Sequence, residues 1–457
     1  MSIDIKSAIK EVEHLLDVWL PLKLQYDKVL GVSIAIVYKG EILYKKGFGY
    51  SDLEHKVKAD ENTLYRIGSI SKTFTSVAVF QLVEQGKIKL ADSVSKYLPW
   101  FKGENEKGNL DDITIEELLS HTSGIWGNGN TPHWFTCEFP TTLQPLPSES
   151  LVFKPSSEFK YSNYGFAVLG ELIATVSGMS YEKYIQTNIL SRLGMTSTSV
   201  DYKEGMKDVA RSFGREVPGQ ERERYGHYSA NAYAPAAGFI SNAVDLAKYV
   251  ASLPVKAQEI ILKNESKQNM IEEPDSYTRS TDKYCLGIET YEIDGKKIYG
   301  HSGGFKGFVS QVSIDAGNEL GVVILTNTSK APVRTYTQSI FQAIYEIIEN
   351  SSGYLSADTI DQKRYAGIYR NSGEDKVVVK IKDVLVSFDI NTSSPLFANN
   401  KTFLHPISND IFLLKGGSGF SSKGETVAFG DIKNGILHKA TFGATPMMRV
   451  CAQDASI

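Results

Sequence analysis

Beyond residue 361 the chain breaks into short β-type runs, and this limits its fold more than any other feature. The runs are Tyr365 to Tyr369, Lys376 to Ile381, Val384 to Phe388, Phe403 to Pro406, Ile411 to Leu414, Thr426 to Asp431 and Leu437 to Phe442. Gly, Asn, Asp and Ser lie between them. Such spacing predicts an antiparallel barrel or sandwich over 361–457. Ser351-Ser352-Gly353 marks 351–360 as a linker. The Gly416-Gly417-Ser418-Gly419 stretch reads as a loop at a hairpin tip.

Residues 1–350 mix helices and strands, so they form a separate α+β domain. Ile5, Ile9, Val12, Leu15, Leu16, Trp19 and Leu20 repeat at three and four, which predicts a helix over 3–20 that Pro21 closes. Gly31 to Val37 and Glu41 to Phe48 are strands joined by a Lys39-Gly40 turn. A helix starts near Ser69, with one apolar face, and stops at Gly86. Thr114-Ile115-Glu116-Glu117 has the form of a capping box. Further helices are expected from Gly165 to Ser177 and, capped by Ser241, through Leu253. A second hairpin turns at Asp294-Gly295, strands follow near 308–314 and 320–326, and a helix runs from Pro332 to Glu349.

Composition excludes several functions. A net charge of −4 supplies no basic field for nucleic acid. No apolar run approaches the ~18 residues that read as a membrane span. The opening Met1-Ser2-Ile3-Asp4-Ile5-Lys6 lacks the basic and apolar regions of an export signal, so a cytoplasmic location is expected. Cys137, Cys285 and Cys451 are odd in number and far apart, which suits reduced thiols rather than disulfides or a zinc site. No metal or cofactor is expected. The expected partners are a small-molecule or short-peptide substrate and, as an open question, further copies of the chain.

The chemistry concentrates in three places. Ser69 and Lys72 lie three apart at a helix start, so they share a face. A serine hydroxyl becomes a nucleophile when a neutral amine one turn away takes its proton, and the positive helix end disfavours charge on that amine. Tyr161-Ser162-Asn163 places a phenol and an amide two residues apart in a turn. The phenol can relay protons beside a lysine, and the amide can orient the lysine and a substrate carbonyl. His301-Ser302-Gly303-Gly304 ends in paired glycines that either permit close approach of a ligand or make a plain turn. There His301 can hydrogen-bond substrate or the Ser69 hydroxyl, and a backbone N–H can join that of Ser69 in an oxyanion hole. His121 reads as a local hydrogen-bonding group or a catalytic one. The aromatic stretch 125–160 reads as a pocket wall or a packed loop. Arg211, Arg215, Arg222 and Arg224 read as a solvated face or a carboxylate receptor.

Taken together, Ser69-x-x-Lys72, Tyr161-x-Asn163 and His301-x-Gly303 resemble the serine β-lactamase-like family of class C β-lactamases, penicillin-binding proteins, D-aminopeptidases and related esterases. Gly31-Val32-Ser33-Ile34-Ala35-Ile36-Val37, Leu118-Leu119-Ser120-His121-Thr122-Ser123-Gly124, Tyr161-Ser162-Asn163-Tyr164-Gly165 and Leu193-Gly194-Met195 carry the likeness across residues 5–350. The resemblance implies an antiparallel sheet packed on the first and last helices of the domain, with a helical subdomain at about 70–250 beside it. It implies that Ser69 attacks a carbonyl and forms an acyl-enzyme, and that Lys72 and Tyr161 shuttle the proton. Asn163 would position Lys72 and substrate, the N–H groups of Ser69 and Gly304 would hold the oxyanion, and His301, Ser302 and Gly303 would line the substrate. The family's β-lactamases usually carry Lys-Thr-Gly where this chain has His301-Ser302-Gly303. That difference favours amides, esters and short peptides, D-residues included, over penicillins. A penicillin-binding carboxypeptidase or β-lactamase and a non-catalytic scaffold are the alternatives. The C-terminal part resembles the lipocalin-like barrel appended to some peptidases of the family. It either covers the cleft, with the Gly416-Gly417-Ser418-Gly419 loop reaching in, or serves packing or oligomerisation with that loop as a mobile hairpin tip.

Overall fold

The computed structural model describes residues 3–129, 133–272, 283–354, 362–392, 394–397, 400–417, 423–433 and 436–450. Contacts divide the chain into Gly31–Val333 and a second unit of Met1–Leu30 with Arg334–Ile457.

The first unit is built on eight antiparallel strands: β1 (Gly31–Tyr38), β2 (Glu41–Asp52), β3 (Val57–Lys58), β4 (Lys283–Tyr284), β5 (Glu289–Ile293), β6 (Lys296–Phe305), β7 (Phe308–Asp315) and β8 (Leu320–Thr326). Their order is β4-β5-β6-β7-β8-β1-β2-β3. The late strands therefore meet the early ones at the β8–β1 seam, with Ile34 opposite Ile324. Both hairpin turns follow their sequences. Lys39 and Gly40 have φ of 48° and 82°, and Asp294 and Gly295 have 49° and 74°, the positive pair that a tight two-residue hairpin needs.

The helices of this unit include α1 (Ser71–Glu84), α2 (Ile115–Leu119), α3 (Asn163–Ser177) and α4 (Ala243–Ser252). The expected capping box is present, with Thr114 and Glu117 exchanging side-chain-to-backbone bonds. Asn242, not Ser241, caps α4 through its side chain to Asp245 N. Helix α1 departs from its predicted amphipathic form, because Ser71 to Leu82 are all buried. Its hydroxyls satisfy themselves on carbonyls: Thr73 on Ile70 O, Thr75 on Pro235 O and Ser76 on Leu286 O. A polar helix can occupy a core when each hydroxyl finds such a partner.

In the second unit, Pro21 does not end the first helix, which runs from Ile5 to Tyr26 with Pro21 inside. Leu20, Leu22 and Leu24 are buried on either side of it, and packing outweighs the lost backbone bond. The C-terminal part is a closed eight-stranded barrel: β9 (Gly367–Arg370), β10 (Asp375–Ile381), β11 (Val384–Asp389), β12 (Lys401–Ser408), β13 (Ile411–Gly416), β14 (Thr426–Lys433), β15 (Ile436–Phe442) and β16 (Thr445–Val450). This settles barrel against sandwich. Strand β16 pairs with both β15 and β9 and closes the ring. Tyr365, Tyr369, Phe412, Phe429 and Phe442 fill the interior with ring-to-ring contacts. Tyr26 and Arg370 both bond Asp375, which fastens the first helix to the barrel. Ser351–Tyr354 of the expected linker form a turn, and its remaining residues lie outside the described ones, as do Ser418, Gly419 and Cys451.

Candidate active site

The site is assembled where the segment before α1 meets strand β6. Gly68 has a φ of 53° and opens a 3-10 turn, Gly68–Ile70, that feeds α1. Ser69 thus sits one turn ahead of the α-helix and Lys72 in its first turn. Backbone contact with β6 leaves no room for side chains. A Cβ at Gly68 would lie 2.6 Å from Gly304 N, and one at Gly303 would lie 2.0 Å from Ile67 O. Ser310 Oγ on β7 also donates to Ile67 O at 2.8 Å. Gly303 therefore serves a close approach of the chain's own backbone at Ile67 rather than a plain turn. At Gly304 nothing lies within 4 Å of a Cβ position, so that side is open.

Lys72 is fully buried. Its Nζ lies 3.0 Å from Ser69 Oγ, 2.7 Å from Asn163 Oδ1 and 2.8 Å from Ala236 O. Burial holds its pKa well below the usual lysine value, against a raising influence from Glu289. A neutral amine has two N–H donors and one lone pair. In the neutral form, Asn163 Oδ1 and Ala236 O, which can only accept, take both donors and leave the lone pair for the Ser69 O–H, whereas the ammonium form donates to all three oxygens. This is the geometry of a base waiting on a nucleophile.

Tyr161 and Asn163 approach Lys72 from the start of α3. The Tyr161 ring centroid is 4.7 Å from Nζ. Ser162 caps α3 by accepting from Gly165 N, and its own Oγ donates to Trp126 O. His121, at φ 60°, accepts from Ser162 N through Nδ1 and packs against Tyr161 with centroids 4.2 Å apart and the rings tilted by 44°. Its carbonyl accepts from Lys160 N. The local reading of His121 is the one that this geometry matches: it holds the Tyr161-Ser162-Asn163 turn.

His301 is placed differently from the sequence expectation. It is 1% exposed, and both of its ring nitrogens bond groups other than the Ser69 hydroxyl. Nδ1 lies 2.5 Å from Ser302 O and Nε2 lies 3.0 Å from Tyr284 OH. A carbonyl only accepts, so Nδ1 carries the proton and a neutral ring accepts from Tyr284 at Nε2. Burial lowers the His301 pKa, opposed by Glu289.

Two residues of the site carried no sequence signal. Asn128 Oδ1 accepts from Asn163 Nδ2 at 2.8 Å, which directs the other amide atom, Oδ1, to Lys72. Glu289 accepts from Ser302 N at 3.2 Å and from Ser302 Oγ at 3.0 Å. Neither belongs to a motif, and both act through tertiary contacts. In the aromatic stretch, Phe139 is buried and Trp134 partly so, and both pack on Phe305 beside Gly304. Arg224 pairs with Glu54 and Arg211 with Asp52 and both are exposed, which suits a solvated face, whereas Arg222, paired with Glu216, is mostly buried. Among the described residues no group of His, Cys, Asp or Glu could hold a metal ion, and no helix is long and apolar enough to cross a membrane.

The model of the family described as Beta-lactamase matches residues 22–381. The chain belongs to the beta-lactamase family. Relatives of this family member include Protein flp of Staphylococcus aureus, 28% identical over 376 residues, with 80% of this chain and 70% of that protein covered. The putative penicillin-binding protein PbpX of Bacillus subtilis is 36% identical over 224 residues, 47% of this chain and 54% of the relative. Among solved structures, the octameric penicillin-binding protein homologue from Pyrococcus abyssi has a TM-score of 0.62 at 24% identity, with 96% of this chain and 99% of that one covered. The D-stereospecific amidohydrolase from Streptomyces has a TM-score of 0.58 at 21% identity, with 73% and 99% covered. These two show likeness of fold.

Proposed function

We propose that this beta-lactamase family member is a serine hydrolase that works through an acyl-enzyme on small peptides, amides or esters, D-amino-acid derivatives among them. Ser69 is the nucleophile. Lys72 takes its proton, with Tyr161 as the relay partner. Asn163 orients Lys72 and meets the substrate, the N–H groups of Ser69 and Gly304 receive the oxyanion, and Ser302 and Gly303 line the substrate. His301, buried on β6 and bonded to Ser302 O, acts as a positioning residue. The observation that carries this reading is the buried Lys72 amine, 3.0 Å from Ser69 Oγ, with Asn163 Oδ1 and Ala236 O as its other two partners.

The reading is tested by covalent labelling. A fluorophosphonate should add one adduct, lost in Ser69→Ala. A second reading, a penicillin-binding carboxypeptidase or β-lactamase, draws on the 36% identical relative. The neutral imidazole of His301 opposes it, because that position offers no fixed charge for a penicillin carboxylate. Self-association is part of the proposal, since one structural neighbour is an octamer. Light scattering would read it.

A further inference from the structure

Glu289 has no part in the reaction steps proposed for Ser69 and Lys72, yet it stands beside them. It lies on β5 opposite Gly300 of β6. Its carboxylate holds Ser302 by N and Oγ, and its Oε1 lies 3.8 Å from His301 Nδ1. That imidazole proton is already given to Ser302 O. Two carboxylate oxygens offer about four acceptor sites, of which Ser302 occupies two. Among the described residues no lysine or arginine pairs with it, and 23% of the side chain is exposed. Lys72 feels its charge, but the Lys72 amine is committed to Ser69, Asn163 and Ala236.

We infer that Glu289 is the receptor for a protonated amine on the substrate, so that the site prefers acyl groups with a free amine next to the scissile carbonyl. The inference rests on the acyl-enzyme reading and adds the charge of the substrate to it. Distance along the strand supports it. Ser302, which the carboxylate grips, precedes Gly304 by two residues, roughly 6.6 Å of strand. An α-amine lies roughly 3 Å from its own carbonyl oxygen, and an ammonium-to-carboxylate bond adds about 2.8 Å. A carbonyl oxygen received at Gly304 N thus leaves an α-amine within reach of Glu289. Charge supports it too. The subsite holds a carboxylate and a neutral imidazole, so it repels a substrate carboxylate and attracts an ammonium.

The test compares each free aminoacyl p-nitroanilide with its N-acetylated counterpart, in both enantiomers of alanine and phenylalanine. The wild-type protein should show kcat/KM higher by about tenfold or more for the free amine. Glu289→Gln keeps the shape and an acceptor for Ser302, and should bring the ratio towards unity. Glu289→Lys should invert it. Because the ratio is taken within one protein, a general loss of activity cancels. A wild-type protein that labels at Ser69 and cleaves neutral esters, yet treats both substrates alike, would overturn the inference and leave the acyl-enzyme reading in place. Equal losses on both substrates in Glu289→Gln would also overturn it, since Glu289 would then only brace Ser302. No labelling at Ser69 and no cleavage of any ester would remove the acyl-enzyme reading itself, and the inference with it.

Discussion

Replacing Gly303 by alanine tests how the site is assembled. The new Cβ would stand 2.0 Å from Ile67 O and 2.3 Å from Ser310 Oγ. Ser310 can rotate away, but Ile67 O is backbone in the segment that carries Ser69. Real Cβ contacts are essentially never under 3.0 Å, so strand and segment must part by at least 1 Å. Overpacking of this kind costs roughly 1–3 kcal/mol of stability. The separation falls next to Gly304, whose N–H is the proposed oxyanion donor. A misplacement of about 1 Å costs on the order of 10²-fold in rate, close to the effect of losing one donor. The assay is the second-order rate of fluorophosphonate addition to Ser69, read by intact mass and paired with a thermal melt. Gly303→Ala should label roughly 10²-fold more slowly and melt earlier. Gly304→Ala, with nothing within 4 Å of its Cβ, should melt as the wild type does. Wild-type labelling and melting in Gly303→Ala would refute the argument that close backbone approach builds the site.

Other expectations rest on single contacts. Asn128→Ala frees the Asn163 amide to turn, and loss of that one bond should slow acylation by about 2- to 10-fold, measured with an activated ester. Lys72 and His301 both have pKa values lowered by burial, so both stay unprotonated further into acid than the free groups, and acylation should fall as pH drops through their lowered values. A pH–rate profile reads this, and a rate that stays level into acid until the protein unfolds would contradict it. His301 also bears on stability: the unfolded chain binds the proton first, so the contribution of this histidine is present above 6.5 and is lost as pH falls towards the folded value, which acid melts would record. Phe429→Ala removes a ring packed against Tyr365, Tyr369, Phe412 and Phe442 in the barrel interior and should lower stability by roughly 3–5 kcal/mol in a denaturant titration.

The parts legible in the sequence are those decided by neighbours in the chain. The Lys39-Gly40 and Asp294-Gly295 turns, the Thr114 capping box and the Gly178 stop of α3 each depend on a few adjacent residues. The β8–β1 seam joins residues nearly three hundred positions apart. It is legible only through family resemblance, because no local pattern encodes it. Strand β16 is not legible, since Pro446 and Met447-Met448 do not read as a strand, and ring closure with β9 and β15 imposes the extended form. Pro21 reads as a stop, and packing on both sides overrides it. At the site, Ser69, Lys72 and Asn163 are legible as motifs and do come together. Asn128 and Glu289 are not legible, since their partners Asn163 and Ser302 lie on other elements. The orientation of His301 is hidden for the same reason: Tyr284, on β4, decides which way its Nε2 faces.

The central claim is that the buried amine of Lys72 makes Ser69 a nucleophile for acyl groups that need no carboxylate. Intact-protein mass spectrometry tests it most directly, after exposure to a fluorophosphonate and, separately, to a penicillin, with Ser69→Ala alongside. The account predicts a single fluorophosphonate adduct that the mutant lacks, and little or no penicillin adduct. A fast, lasting penicillin adduct would contradict the substrate reading. No adduct from either reagent would contradict the activation of Ser69 itself.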